Sequence, residues 1–215
     1  MKQKEDKQTI DAFSNGLIAS HYIPLLPPTS EVISGNRWMG SKTPDRIRDL
    51  WSTPLWLFRY LDQRYGPFNI DGAASANNAK CERYFSLGGE DAFFAKVERG
   101  DRIFLNPPFS HMDPWIVLAR KWADLGAKVT VVCPHDTSTS WAANGLINAG
   151  EIIHVIGAYD ESGKWRSGRI SFVNADTGKE EGGNNKGTLL LHFDRKKTAS
   201  KTLYISRPMM EKATV

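Results

Sequence analysis

Cysteine is nearly absent from this chain: Cys81 and Cys133 stand far apart, and neither has a partner at metal-ligand spacing. That excludes a disulfide-stapled scaffold and a zinc centre of familiar spacing, and both thiols are expected to stay reduced. Long hydrophobic runs are missing as well. No stretch approaches membrane-span length, and Met1-Lys2-Gln3-Lys4-Glu5-Asp6-Lys7 lacks the apolar stretch of a signal peptide, so a soluble cytoplasmic protein without membrane contact is expected. No internal repeat occurs. Gly182 to Gly187 lacks the spacing of a phosphate loop. With no G-x-S-x-G elbow, His135-Asp136 beside Ser138 or Ser140 does not read as a hydrolase triad. Charge of one sign does not dominate: 28 Lys and Arg face 24 Asp and Glu, a net +4. That balance suits a nucleic-acid partner and equally suits many enzymes of neutral substrates.

What the chain does have is enough apolar mass for a core: 40% of its 215 residues are hydrophobic, which suits one domain with extensions. Residues 1–35 are polar and then proline-rich, the pattern of an arm. Residues 36–194 carry the periodic segments, and 195–215 form a basic tail, expected to fray from Arg195 to Lys201. Thr53 and Pro54 suit the N-cap and first position of a helix whose face is Leu57, Phe58, Leu61 and Tyr65, and Gly66-Pro67 ends it. Strands are expected at Phe68–Asp71, Arg102–Leu105, Lys128–Cys133 and Ile152–Ile156. Helices are expected toward Cys81, over Trp115–Leu125 and over Trp141–Ala149. This alternation predicts an α/β fold with a doubly wound, mainly parallel sheet. Ile170–Val173 and Thr188–Phe193 would form an antiparallel end to it.

Chemistry concentrates where two strands end. Asn106-Pro107-Pro108-Phe109 follows the apolar run Ile103-Phe104-Leu105. Each proline fixes φ and removes an N–H, so the turn is stiff and its carbonyls have no local donors. The Asn106 side-chain oxygen and the Pro107 carbonyl could accept both hydrogens of an NH2 group, with the Phe109 ring able to stack on a planar group that carries it. Asp71 ends another strand about 35 residues earlier, and in a doubly wound sheet both would reach one edge. Gly72, Ala73, Ala74 and Ser75 are small enough for close backbone approach to a ligand, and a helix start behind them would offer free N–H groups to a carboxylate. The same four residues also suit a plain strand-to-helix turn.

The tetrapeptide resembles the (D/N/S)-P-P-(Y/F/W) motif of methyltransferases that use S-adenosylmethionine. Together with Trp51-Ser52-Thr53-Pro54, Asp71 to Ser75, Asn77-Asn78-Ala79-Lys80-Cys81, Gly168 to Phe172 and Gly183 to Gly187, it is similar to the phage-type DNA adenine-N6 methyltransferase family over residues 36–193. The resemblance implies a Rossmann-like methyltransferase sheet and a catalytic set of Asn106, Pro107, Pro108 and Phe109. It implies cofactor binding by Thr53, Pro54, Asp71, Gly72, Ala73, Ala74, Ser75 and Asp91, with Glu90 a rival to Asp91. The product would be S-adenosylhomocysteine, no metal would be needed, and the setting would be a bacterial cell carrying a phage or prophage. One departure is the lack of F-x-G-x-G, with Ala73 and Ala74 where glycine is usual.

The implied partner is double-stranded DNA with a flipped adenine; a protein glutamine, an RNA base and a non-catalytic DNA-binding relative are the alternatives. Too few residues separate Asp71 from Asn106 for a target-recognition domain, so target choice is expected in flanking segments. The segment 157–187, rich in glycine and asparagine, would form part of the DNA face through Arg166, Arg169, Asn185 and Lys186. Gly182–Gly187 could equally be a solvated hairpin turn. Arg37, Lys42, Arg46 and Arg48 suit phosphate contacts or a solvated basic face. Trp38, Trp51, Trp115, Trp122, Trp141 and Trp165 read as core or shell packing.

Overall fold

A computed structural model describes residues 51–86, 89–174, 178–181, 186–195 and 200–214. The arm 1–35, the cations Arg37 to Arg48, Trp38 and Asn185 lie outside the described residues. The chain runs β1 (Trp51–Ser52), α1 (Leu55–Tyr65), β2 (Ile70–Asp71), β3 (Arg83–Tyr84), β4 (Arg102–Leu105), α2 (Met112–Asp124), β5 (Lys128–Pro134), α3 (Ser140–Asn148) and β6 (Glu151–Ile156). It continues through β7 (Ala158–Tyr159), β8 (Trp165–Arg166), β9 (Phe172–Asn174), β10 (Glu180–Glu181), β11 (Thr188–Asp194), β12 (Lys201–Ser206) and α4 (Arg207–Lys212).

Seven strands form the central sheet in the order β12-β6-β11-β5-β4-β2-β3. Every neighbouring pair is parallel except those of β11, which runs antiparallel to both β5 and β6. The antiparallel part is therefore inside the sheet, not at its end. Six of the seven β11 residues, Thr188 to Phe193, are buried, and a strand buried on both faces belongs between neighbours. Alternation along the strands splits the core in two. Ile103, Leu105, Val129, Val131, Leu189 and Leu191 face α2 and α3, while Phe104, Val132 and Leu190 face Leu57 and Leu61 of α1 and Met210 of α4. Helices thus cover both faces.

In the basic tail, residues 196–199 of the stretch expected to fray lie outside the described residues, and from Lys201 on the tail is folded: β12 pairs in parallel with β6, Lys201 opposite Glu151 through Ser206 opposite Ile156, and α4 buries Met210. Its polar residues belong to an edge strand, where lysine is at home. Two further expectations are corrected. No helix leads to Cys81; the chain there is turns and bends ahead of β3. The strand expected at Ile170–Val173 does not join the central sheet: β9 sits between β1 and β10 in a second, antiparallel sheet, with Ile170 and Phe172 buried in the core. Among the described residues no helix is long and apolar enough to cross a membrane.

Candidate active site

Asp71 lies opposite Phe104 in the β2–β4 register, so Asp71 and Asn106 leave the sheet on one rim. β2 has β3 on one side and β4 on the other. Chain order therefore reverses there, which is where open α/β sheets form ligand crevices. A cleft of about 380 Å³ opens at that point. Of the residues singled out from sequence, Thr53, Asp71, Ala73, Ala74, Ser75, Asp91, Asn106 and Pro108 line it. Glu90 does not; it is ion-paired with Arg83 at 3.0 Å. Asp91 turns its own backbone by accepting from the Phe93 N–H at 2.9 Å. Aromatic walls come from Phe85 and Phe93, which no sequence motif had singled out, and from Trp115, which had read as core or shell packing.

Asn106 is positioned through its amide nitrogen. Its Nδ2 donates to the Trp51 carbonyl at 3.1 Å, which fixes the amide's orientation and leaves Oδ1 buried without a partner. Trp51 is held in turn by stacking on Phe172, with ring centroids 6.0 Å apart. Thr53 Oγ1 and Trp51 Nε1 are also buried and unpartnered. Three such atoms around one cleft are unusual, since buried polar groups are ordinarily satisfied. Pro54 stands at the helix boundary and accepts from the Leu57 and Phe58 N–H groups, at 3.1 and 3.2 Å. Thr53 makes no cap bond, so the expected roles shift by one residue: Pro54 precedes the helix and Thr53 faces the cleft.

The turn after β2 works differently from expectation. Gly72 N–H bonds the Phe104 carbonyl at 2.7 Å and Ala74 N–H the Phe85 carbonyl at 3.0 Å. Ala73 N–H reaches Asp71 Oδ1 at 3.4 Å, and Ser75 N–H reaches Asn78 Oδ1 at 2.7 Å. All four amides are engaged and no helix start lies behind them. Gly72 serves packing, not ligand approach: a Cβ there would stand 3.0 Å from Leu105 and 3.1 Å from Ile103. Asp71 is buried, which raises its carboxyl pKa, while the N–H groups of Lys80 and Ala73 oppose the shift.

Beyond the Asn106–Phe109 turn lies a second hollow of about 460 Å³, lined by Phe109, Asp113, Asp136, Ser140 and Lys186. Phe109 is half-buried, its ring edge-on to Phe172 at 5.6 Å. The loop after β5 lines this hollow through Asp136 and Thr139. Lys186 and Asp136 form an ion pair, and the Lys186 ammonium and Ser138 hydroxyl hold the Asp136 carboxyl down at about 2. Arg166 is 3.7 Å from Glu211, and Arg169 is exposed. Trp165 departs from the packing role expected of it: it is 57% exposed and meets Tyr159 edge-on on the β7–β8 hairpin.

The chain matches the family model described as DNA N-6-adenine-methyltransferase (Dam) over residues 40–214. It is 36% identical over 202 residues to a DNA N-6-adenine-methyltransferase of Escherichia phage T1, covering 88% of this chain and 84% of that protein. A protein of the same name from Haemophilus phage HP1 (strain HP1c1) is 30% identical over 158 residues, covering 73% of this chain and 84% of its own.

Proposed function

This chain belongs to the DNA N-6-adenine-methyltransferase family, and from that premise we propose that it methylates the exocyclic amine of an adenine flipped out of double-stranded DNA, at Asn106. The observation that carries the site assignment is the buried, unpartnered Asn106 Oδ1, fixed by the Trp51 carbonyl on the rim where β2 and β4 end. The doubly wound, Rossmann-like reading of the sheet rests on the same rim and on helices covering both faces.

The cleft fits S-adenosylmethionine. It offers aromatic walls for an adenine, Asp91 for hydroxyls, and the unpartnered Thr53 Oγ1 and Trp51 Nε1. When bound, the cofactor supplies an activated methyl group, with S-adenosylhomocysteine as product. The chain's own part is to hold the amine. Hydrogen bonds to Asn106 Oδ1 and the Pro107 carbonyl favour a pyramidal nitrogen over the flat, resonance-delocalised one. They strengthen toward the transition state and so raise turnover. Flipping costs a few kcal/mol, and stacking on Phe109 returns roughly 1–3 kcal/mol. Phe109 lines the second hollow, which supports taking that hollow as the base's side of the turn, with Arg166, Arg169 and Lys186 assigned to the DNA face. The setting is the cytoplasm of a bacterial cell carrying the phage or prophage gene.

Incubating the protein with unmethylated duplex DNA and methyl-labelled cofactor tests the reading. Label should appear in N6-methyldeoxyadenosine on nucleoside analysis. Label in cytosine, or in protein and not DNA, would overturn it.

A further inference from the structure

The zwitterionic end of the cofactor has no helix start to rest on. The amides of residues 72–75 are all committed to other acceptors. Something else must meet a carboxylate in this cleft, and among the described residues that line it there is a single cation, Lys80, beside two carboxylates, Asp71 and Asp91. Lys80 is clamped at its backbone, where its N–H donates to Asp71 Oδ2 at 2.9 Å. Its ammonium takes no ion pair with Asp71 within 4.0 Å, although the two residues share the clamp.

We propose that the Lys80 ammonium binds the amino-acid carboxylate of the cofactor, with Asp71 facing the α-ammonium beside it. The assignment rests on the reading of the cleft as the cofactor site. Lys80 is half-buried, so its ammonium has lost part of its water, and an incoming carboxylate offsets that cost while forming a charge-assisted bond. Burial pulls the Lys80 pKa below its ordinary value, against the attraction of the Asp71 charge, in keeping with an ammonium kept partly from water. Asp71 alone could not do this, since a carboxylate repels the group in question. The backbone bond to Asp71 is made by the main chain, so a substituted side chain at 80 leaves the turn tied.

Calorimetric titration of wild type, Lys80→Met and Lys80→Arg with two ligands tests the proposal. S-adenosylhomocysteine carries the carboxylate, and 5′-methylthioadenosine lacks the whole amino-acid end. Losing a hydrogen bond to a charged group is worth roughly 1.5–3 kcal/mol, or about 10- to 100-fold in affinity. Lys80→Met should show that loss with S-adenosylhomocysteine and hold within about twofold for 5′-methylthioadenosine; Lys80→Arg should recover most of the loss. An equal loss for both ligands would mean a structural role and overturn the assignment. So would unchanged S-adenosylhomocysteine binding by Lys80→Met. Wild type that binds neither ligand would overturn the cofactor reading of the cleft, and this assignment with it.

Discussion

Replacing Asn106 by alanine separates the chemistry of the rim from its architecture. The substitution removes two things. One is the bond from Nδ2 to the Trp51 carbonyl at 3.1 Å, and the other is the unpartnered Oδ1. Losing the first should lower stability by roughly 0.5–1.5 kcal/mol, a fall in Tm of about 2–6 °C for a chain of this length. Losing the second touches only the reacting amine. By analogy with single preorganised groups at reacting centres, turnover should drop about 10²- to 10³-fold. Trp51 lines the cleft proposed for the cofactor and is stacked on Phe172, so cofactor affinity should change no more than a few fold. Single-turnover transfer of labelled methyl groups at saturating cofactor, with calorimetry and thermal unfolding alongside, gives the three quantities. Turnover within threefold of wild type, or affinity falling in step with turnover, would refute the reasoning.

Gly72→Ala should cost roughly 1–3 kcal/mol by overpacking, because the new Cβ would press on Leu105, Ile103 and Trp122. Urea unfolding with an unchanged midpoint would show that β2 can yield. Arg166→Gln and Arg169→Gln should each weaken DNA binding and reduce the salt slope by about one unit, with cofactor affinity intact; equal slopes across several salt concentrations would move recognition elsewhere. His135 Nε2 and His154 Nδ1 stand 2.7 Å apart, and burial followed by the neighbouring His135 holds the His154 imidazole below its ordinary 6.5. In the window between the lowered folded pKa and 6.5 the unfolded chain binds more protons, so stability should fall as pH drops through it. Thermal unfolding at pH 7.5 and 5.5 should show a loss that His154→Gln diminishes; an identical loss in both proteins argues against the pair.

What the sequence by itself determined is local. An apolar run, an amide and two prolines dictate a strand ending in a stiff turn, whatever surrounds them, and Asn106 sits where that chemistry put it. Apolar periodicity likewise placed α1, α2, α3, β5 and β6 to within a few residues. The tertiary structure decided whatever depends on pairing distant segments. Ile170–Val173 and Thr188–Phe193 both look like strands, but only their neighbours send Phe172 against Trp51 and Phe109, and insert β11 between β5 and β6. The basic tail alternates only Leu203 and Ile205 toward the core, too short a pattern to mark a strand by itself, so its place as an edge strand was legible only from the flank of β6 that it covers. The same holds for the cleft. Small residues after Asp71 fit a helix start equally well. What removed the helix is that Phe85, Phe104 and the Asp71 and Asn78 side chains reach back to take every amide first. Hydrogen-bond demand is written in the chain; which acceptor meets it depends on contacts across the fold.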